Sequence, residues 1–222
     1  MLLIFDCDGV LVDSESLSCR IDAEFLTQIG IPYTAEEIAR QFLGVSLKTM
    51  IARIEAERGC RLPDDFGERL NSILFARFET DLKPIEGVRD AILSLPHPRC
   101  VASSSVPERI ALSLRITGLS DLFDDIFSST QVPRGKPAPD LFLHAASNMK
   151  ARPEDCLVIE DSVAGVQAAL AAGMRVIGFT GASHTYPSHA DRLTDAGAET
   201  VIARMVDLPG VVMALAEWDG VL

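Results

Sequence analysis

The chain has 222 residues, of which 48% are hydrophobic and 23% charged, and its formal net charge is −12. That length allows one domain with a substantial insertion or two small ones, and the composition is that of a globular protein with a core. A surface so acidic repels phosphate backbones, which argues against nucleic acid as a partner, and any phosphate site must be made locally positive.

The N-terminal run Leu2-Leu-Ile-Phe5 is apolar and bounded by Asp6-Cys-Asp-Gly9. It reads as a buried strand covered by helices on both faces, and it is too short for the apolar region of a signal peptide. Residues 14 to about 82 then show helix signals and no convincing strand: Ser14 through Gly30, a possible capping box at Thr34-Ala-Glu-Glu37, Gly44 through Gly59, and Pro63 through Phe78. A crossover between parallel strands is usually one helix, so this block reads as an inserted all-helical cap. Its linkers would be Asp13-Ser-Glu15 and Asp81-Leu-Lys-Pro-Ile85. The expected division is an α/β core over 1–14 and 83–222 and a helical cap over 15–82.

Further apolar runs follow at Cys100–Ser103, Cys156–Ile159, Arg175–Phe179 and, more weakly, Thr200–Ala203. Helical patterns separate them. The clearest begins at Ser162, placed to cap it, and stops at Gly173. Strands alternating with helices predict a doubly wound, Rossmann-like parallel sheet. The five cysteines are an odd number, widely separated and without a C-x-x-C pair, so they read as thiols in a reducing compartment. There is no uninterrupted 18-residue apolar stretch, and the expectation is a cytoplasmic protein, a monomer or small homo-oligomer with no membrane partner.

The chemistry-bearing residues fall in four places. Asp6 and Asp8 lie two apart where the first strand ends, so extended geometry would send both carboxylates to one side, ~6 to 7 Å apart. An isolated D-x-D is often a solvated acidic turn, but here the acids abut a buried strand at the sheet edge where open α/β folds bind ligands. Glu160 and Asp161 end a second apolar strand, and Ser162 can cap the next helix without them. Four acids brought together repel one another, and such a cluster persists when a divalent cation sits among the oxygens; magnesium suits that donor set. Lys136, held between Gly135 and Pro137, is in a constrained loop. Ser103-Ser-Ser105 precedes Pro107, which suits a helix's first turn, and hydroxyls with free N–H groups at a helix start bind phosphate well. Each signal alone has an ordinary structural explanation. All four are expected at the C-terminal ends of four different strands, where one sheet would make them converge.

In this order, Asp6-x-Asp8-Gly-Val, Ser103, Lys136-Pro and Glu160-Asp161 resemble the four motifs of the haloacid dehalogenase-like hydrolases, across essentially the whole chain. The position of the helical block resembles the family's helical-cap branch, which includes β-phosphoglucomutase and sugar-phosphate phosphatases. Within it, Leu11-Val-Asp-Ser-Glu15, Arg20 and Gly44-Val45 look most like the bacterial 6-phosphogluconate phosphatases. The resemblance implies that Asp6 is a covalent nucleophile toward phosphorus and Asp8 the general acid/base. It also implies a Mg²⁺ bound by the Asp6 carboxylate, the Asp8 main-chain carbonyl and Asp161, with Glu160 ligating or orienting a water. Ser103 and the Ser104 N–H would hold phosphate oxygens, and Lys136 would offset their charge. The cap would read a small phosphorylated metabolite through Arg20, Ser46 and Lys48, with Gly44 to Thr49 as the specificity loop. A phosphomutase shares the same core, but Leu43, Leu47 and Ser18 stand where mutases carry basic residues and a histidine, which favours a phosphatase. A dehalogenase would not need Asp8 or the Glu160-Asp161 pair, and a non-catalytic sugar-phosphate sensor would tolerate gaps in a set that is complete here.

Overall fold

The computed structural model describes residues 1–42 and 45–218. Leu43 and Gly44, on which part of the cap reading falls, lie outside the described residues, as do residues 219–222. Strand β1 (Leu2–Phe5) opens the chain and is followed by four helices, α1 (Glu15–Gln28), α2 (Ala35–Phe42), α3 (Leu47–Arg58) and α4 (Phe66–Asp81). The alternating part then runs α5 (Val88–Leu93), β2 (Arg99–Ser103), α6 (Pro107–Ile116), β3 (Ile126–Ser128), α7 (Asp140–Asn148), β4 (Cys156–Glu160) and α8 (Val163–Ala171). It ends with β5 (Arg175–Phe179), α9 (His189–Asp195), β6 (Thr200–Ile202) and α10 (Leu208–Trp218).

The six strands form one parallel sheet in the order β3-β2-β1-β4-β5-β6. Alternate residues of each strand serve opposite faces, as the period of two requires. Leu2 and Ile4 join Cys100, Val158 and Val176 beneath α7, α8 and α9, whereas Leu3 and Phe5 join Val101, Ile159 and Ile177 on the face covered by α5, α6 and α10. Both faces are buried, which is why the strands read as continuous apolar runs. The architecture is a doubly wound α/β core with an inserted all-helical cap. Strand β3 is the element that the sequence pattern missed. It has three residues at the sheet edge, Ile126 is exposed, and Asp124-Asp125 precede it, so it lacks an apolar run.

The helical insertion leaves and rejoins the sheet at one point. Val12 and Pro84 form an antiparallel bridge, flanked by hydrogen bonds from Asp13 N to Lys83 O and from Ile85 N to Leu11 O. Within the insertion, Phe25 stacks on Phe66 at 5.2 Å between ring centroids. The Thr34–Glu37 capping box forms: Thr34 N donates to Glu37 Oε2 at 2.8 Å and Glu37 N to Thr34 Oγ1 at 3.2 Å. Ser162 caps α8 by accepting from Gly165 N at 3.0 Å. No helix among the described residues is long and apolar enough to cross a membrane.

Candidate active site

Strands β1, β2 and β4 are neighbours, so Asp6, Ser103 and Glu160 emerge side by side at their C-terminal ends. After Phe5 the chain turns tightly: Gly9 N donates to Val12 O at 2.8 Å, and Leu11 and Val12 N–H groups both reach Cys7 O. Gly9 adopts φ 83°, and a Cβ there would collide with the Asp161 carboxylate, so both the backbone conformation and the close approach require glycine.

Lys136 enters from the loop between β3 and α7, with its side chain 1% exposed. Its Nζ donates to Asp6 Oδ1 at 2.9 Å and to Glu160 Oε1 at 2.7 Å, and lies 4.9 Å from the Phe142 ring centre. Burial works against its charge, but the two carboxylates outweigh it and hold its pKa above the ordinary lysine range. Glu160 Oε2 accepts from Ser162 N at 2.6 Å, so both Glu160 oxygens are engaged by the protein. Its side chain lies against Gly165 of α8, where a Cβ would overlap it.

Asp6, Glu160 and Asp161 carry carboxylate oxygens within 4.8 Å of one another, all buried. Burial raises the Asp6 carboxyl well above its ordinary range, Lys136 opposing and Glu160 adding; burial and then Glu160 do the same to Asp161. Asp161 Oδ2 is buried and makes no aligned hydrogen bond. A cluster of hard oxygens, partly neutralised by one lysine and including an orphaned carboxylate oxygen, fits a divalent cation such as Mg²⁺. Since Glu160 is already held by Lys136 and Ser162, Asp6 and Asp161 are the side chains with oxygens to offer.

Asp8 has different partners. Ser14 Oγ donates to its Oδ1 at 2.6 Å, Ser105 Oγ to its Oδ2 at 2.7 Å, and Arg109 NH2 to its Oδ1 at 2.8 Å. Burial pushes this carboxyl up, but the Arg109 charge and the three hydrogen bonds prevail and leave it below the ordinary range. Arg109 also donates to Ser18 Oγ of α1 at 2.9 Å and lies 5.0 Å over the Phe78 ring of α4, so it ties the core to the cap. The sequence reading did not single out Arg109. Its signal is the position: two residues past Pro107 it falls in the first turn of the helix that follows the three serines.

Ser103 is 1% exposed and accepts from Ser105 N at 3.1 Å. Ser104 O accepts from Ser129 Oγ at 2.7 Å, which fixes this loop against the lysine loop. Above these groups a cavity of about 1040 Å³ lies between core and cap. Asp6, Asp8, Ser103, Ser104 and Lys136 line it from below, and Ser46 and Lys48 line it from the start of α3. Ser46 caps that helix by accepting from Thr49 N at 3.2 Å, and a Cβ on Gly135 would sit 3.7 Å from its Oγ, so the lysine loop and the cap approach closely there. Arg20 is not brought to this cavity. It is exposed on another face of α1 and lines a separate shallow groove with Tyr33 and Ala35. The α1 residues that do line the cavity are Glu15, Ser18 and Asp22, spaced at three and four along one stripe. Burial pushes the Glu15 carboxyl up to about 8, with Asp8 adding, and the Asp22 carboxyl up to about 7 against the pull of Arg109.

The sequence profile of the haloacid dehalogenase-like hydrolases matches residues 3–179. The chain is 34% identical over 187 residues to 6-phosphogluconate phosphatase of Escherichia coli K12, covering 83% of this chain and 85% of that protein. It is 32% identical over 207 residues to a phosphorylated carbohydrates phosphatase of Thermotoga maritima, covering 90% and 93%. Among solved structures, a conserved haloacid dehalogenase-like protein of unknown function from Agrobacterium tumefaciens superposes with a TM-score of 0.82. It is 48% identical and is covered over 98% of its length by 97% of this chain.

Proposed function

Because the chain belongs to the haloacid dehalogenase-like hydrolase family, we propose that it is a Mg²⁺-dependent phosphatase that passes the phosphoryl group of a small phosphorylated metabolite to Asp6 and then to water. The observation that carries this is the buried Asp6 at the end of β1, charge-paired with Lys136 and flanked by Glu160 and Asp161 under a cavity large enough for a sugar phosphate. A carboxylate so placed forms an aspartyl-phosphate and splits hydrolysis into two displacements. Asp8, two residues on, is ionised beside Arg109 in the free protein; it takes a proton from the incoming phosphate monoanion, gives it to the leaving oxygen in the first displacement and takes one from water in the second. The Ser103 hydroxyl and the Ser104 N–H bind phosphoryl oxygens, and Lys136 holds Asp6 while offsetting their charge. Asp6, the Asp8 main-chain carbonyl and Asp161 would hold the cation, with Glu160 orienting the set through Lys136. The bound cation supplies positive charge to the Asp6 carboxylate and the phosphoryl oxygens.

The same reading gives residues 15–82 the role of a cap that closes over residues 1–14 and 83–222, excludes water and reads the leaving group. Ser46 and Lys48 are its contacts. Arg20, which faces away from the cavity, has no part in it. The named activities of the two curated relatives support a sugar phosphate or phosphorylated sugar acid as substrate.

The test is a panel of phosphorylated sugars and sugar acids assayed for phosphate release, with and without chelator, on the native enzyme, Asp6→Asn and Asp8→Asn. Release should require Mg²⁺, a trapped phosphoryl label should map to Asp6, and Asp8→Asn should turn over very slowly. A label on another residue, or full turnover after metal removal, overturns the reading. Transfer of the label to a second sugar rather than to water makes the protein a mutase.

A further inference from the structure

The loop between β5 and α9, residues 180–188, ends on the same sheet edge as the acids, and the proposed function assigns it nothing. His184 in this loop has a side chain only 3% exposed, and its Nε2 lies 3.1 Å from Asp161 Oδ2. Neither ring nitrogen of His184 has an aligned hydrogen-bond partner, and neither has Asp161 Oδ2. Two buried polar groups without partners are costly, and these two lie within hydrogen-bond distance of each other. The same loop leads to His189, whose Nε2 lies 2.7 Å from the main-chain oxygen of Asp161 and whose ring stacks on Tyr186 at 4.8 Å. Asp161 is thus approached at its backbone by one imidazole and at its side chain by another. On the opposite side, Gly9 has no side chain to keep Asp161 and His184 from packing beneath the first turn.

The loop is also anchored. Ser183 donates from N and Oγ to Asp13 Oδ1 at 3.0 and 2.8 Å, and its Oγ reaches Ser16 Oγ at 3.0 Å. Asp13 lies in the linker to the cap and Ser16 in the first turn of α1, so His184 is held in place from the hinge.

We infer that His184 is a positioning residue: its Nε2–H holds the Asp161 carboxylate in the orientation that binds the divalent cation, with Ser183 fixing the imidazole against the cap linker. His184 is assigned to positioning rather than ligation because its ring nitrogens fall outside the group whose ligand atoms lie within 4.8 Å of one another among the described residues, Asp6, Glu160 and Asp161. Partners that orient a metal ligand from behind commonly contribute 10- to 100-fold in metal affinity. The inference rests on the metal reading proposed above.

The experiment is Mn²⁺ binding to metal-free, substrate-free protein by electron paramagnetic resonance, with Mg²⁺ as competitor. His184→Phe fills the same space without a donor and should weaken Mn²⁺ binding about 10- to 100-fold. His184→Gln restores an N–H donor and should stay within about threefold of native. Ser183→Ala, which leaves the imidazole intact but loosens its anchor, should fall between them, and it carries the test should the phenylalanine variant not fold. Native affinity in His184→Phe, or equal loss in the Phe and Gln variants, overturns the inference while leaving the metal reading intact. No Mn²⁺ binding by the native protein overturns both.

Discussion

Replacing Lys136 with methionine removes one charge while keeping most of the side chain's length and bulk. In the native protein Lys136 is 1% exposed and bridges Asp6 at 2.9 Å and Glu160 at 2.7 Å. The variant leaves two carboxylates buried within 4.8 Å of each other and of Asp161, with no cation from the chain between them. Removing one partner of a buried ion pair costs about 3 to 5 kcal/mol. Two charge-assisted hydrogen bonds at about 1.5 to 3 kcal/mol each lead to a similar figure. Urea unfolding of metal-free protein at pH 8 should therefore show Lys136→Met less stable by about 3 to 5 kcal/mol with little change in the slope. The deficit should depend on pH in one direction. The Asp6 carboxyl is already raised by burial in the native fold, and losing Lys136 raises it further. A group whose folded pKa is raised contributes stability below its unfolded value and loses it as pH climbs toward the folded one; the variant, with the higher folded value, goes on losing stability after the native protein has stopped, so the deficit grows with pH. Excess Mg²⁺ should shrink it, because a divalent cation restores the missing positive charge. A variant as stable as native at pH 8 without metal, or a deficit that shrinks as pH rises, would refute this account of the site's electrostatics.

Gly165 sits inside α8, where alanine is ordinarily worth up to about 1 kcal/mol, yet Gly165→Ala should destabilise by about 1 to 3 kcal/mol because its Cβ would collide with Glu160. Gly210→Ala, whose Cβ meets nothing, should stabilise by about 0.5 to 1 kcal/mol in the same urea assay. Glu15→Gln should gain on native by about 1 to 3 kcal/mol as pH rises from 6 to 8 and level off above it, since native stability is lost between the ordinary carboxylate range of the unfolded chain and the raised Glu15 pKa of about 8; a pH-independent difference would show that Glu15 is freely solvated. For a phosphorylated sugar acid, Lys48→Ala should lower kcat/KM about tenfold while Arg20→Ala leaves it within about twofold. The reverse ranking would mean that the leaving group does not occupy the cavity under α3.

Much of the sheet was legible in the chain itself. Strands β1, β2, β4 and β5 are buried on both faces, so they appear as apolar runs close to their observed limits, and acids directly after such a run mark its C-terminal end. The caps at Thr34 and Ser162 were legible because capping is local chemistry, decided by residues three apart. Edge strand β3 was not, since three residues paired on one side need no apolar run, so the strand expected ahead of Lys136 had no pattern to mark its place. Arg20 illustrates a different limit. Composition marks it as a cation in the cap, but a helix points residues two apart in nearly opposite directions, and Ser18 and Asp22 hold the cavity side. The rest was decided only by tertiary structure. Arg109 meets Asp8 across 101 positions and Lys136 meets Asp6 across 130, while Ser183 meets Asp13 across 170. Local patterns reach about four residues along a helix and two along a strand, so contacts at such separations exist only once the parallel sheet has aligned its strand ends.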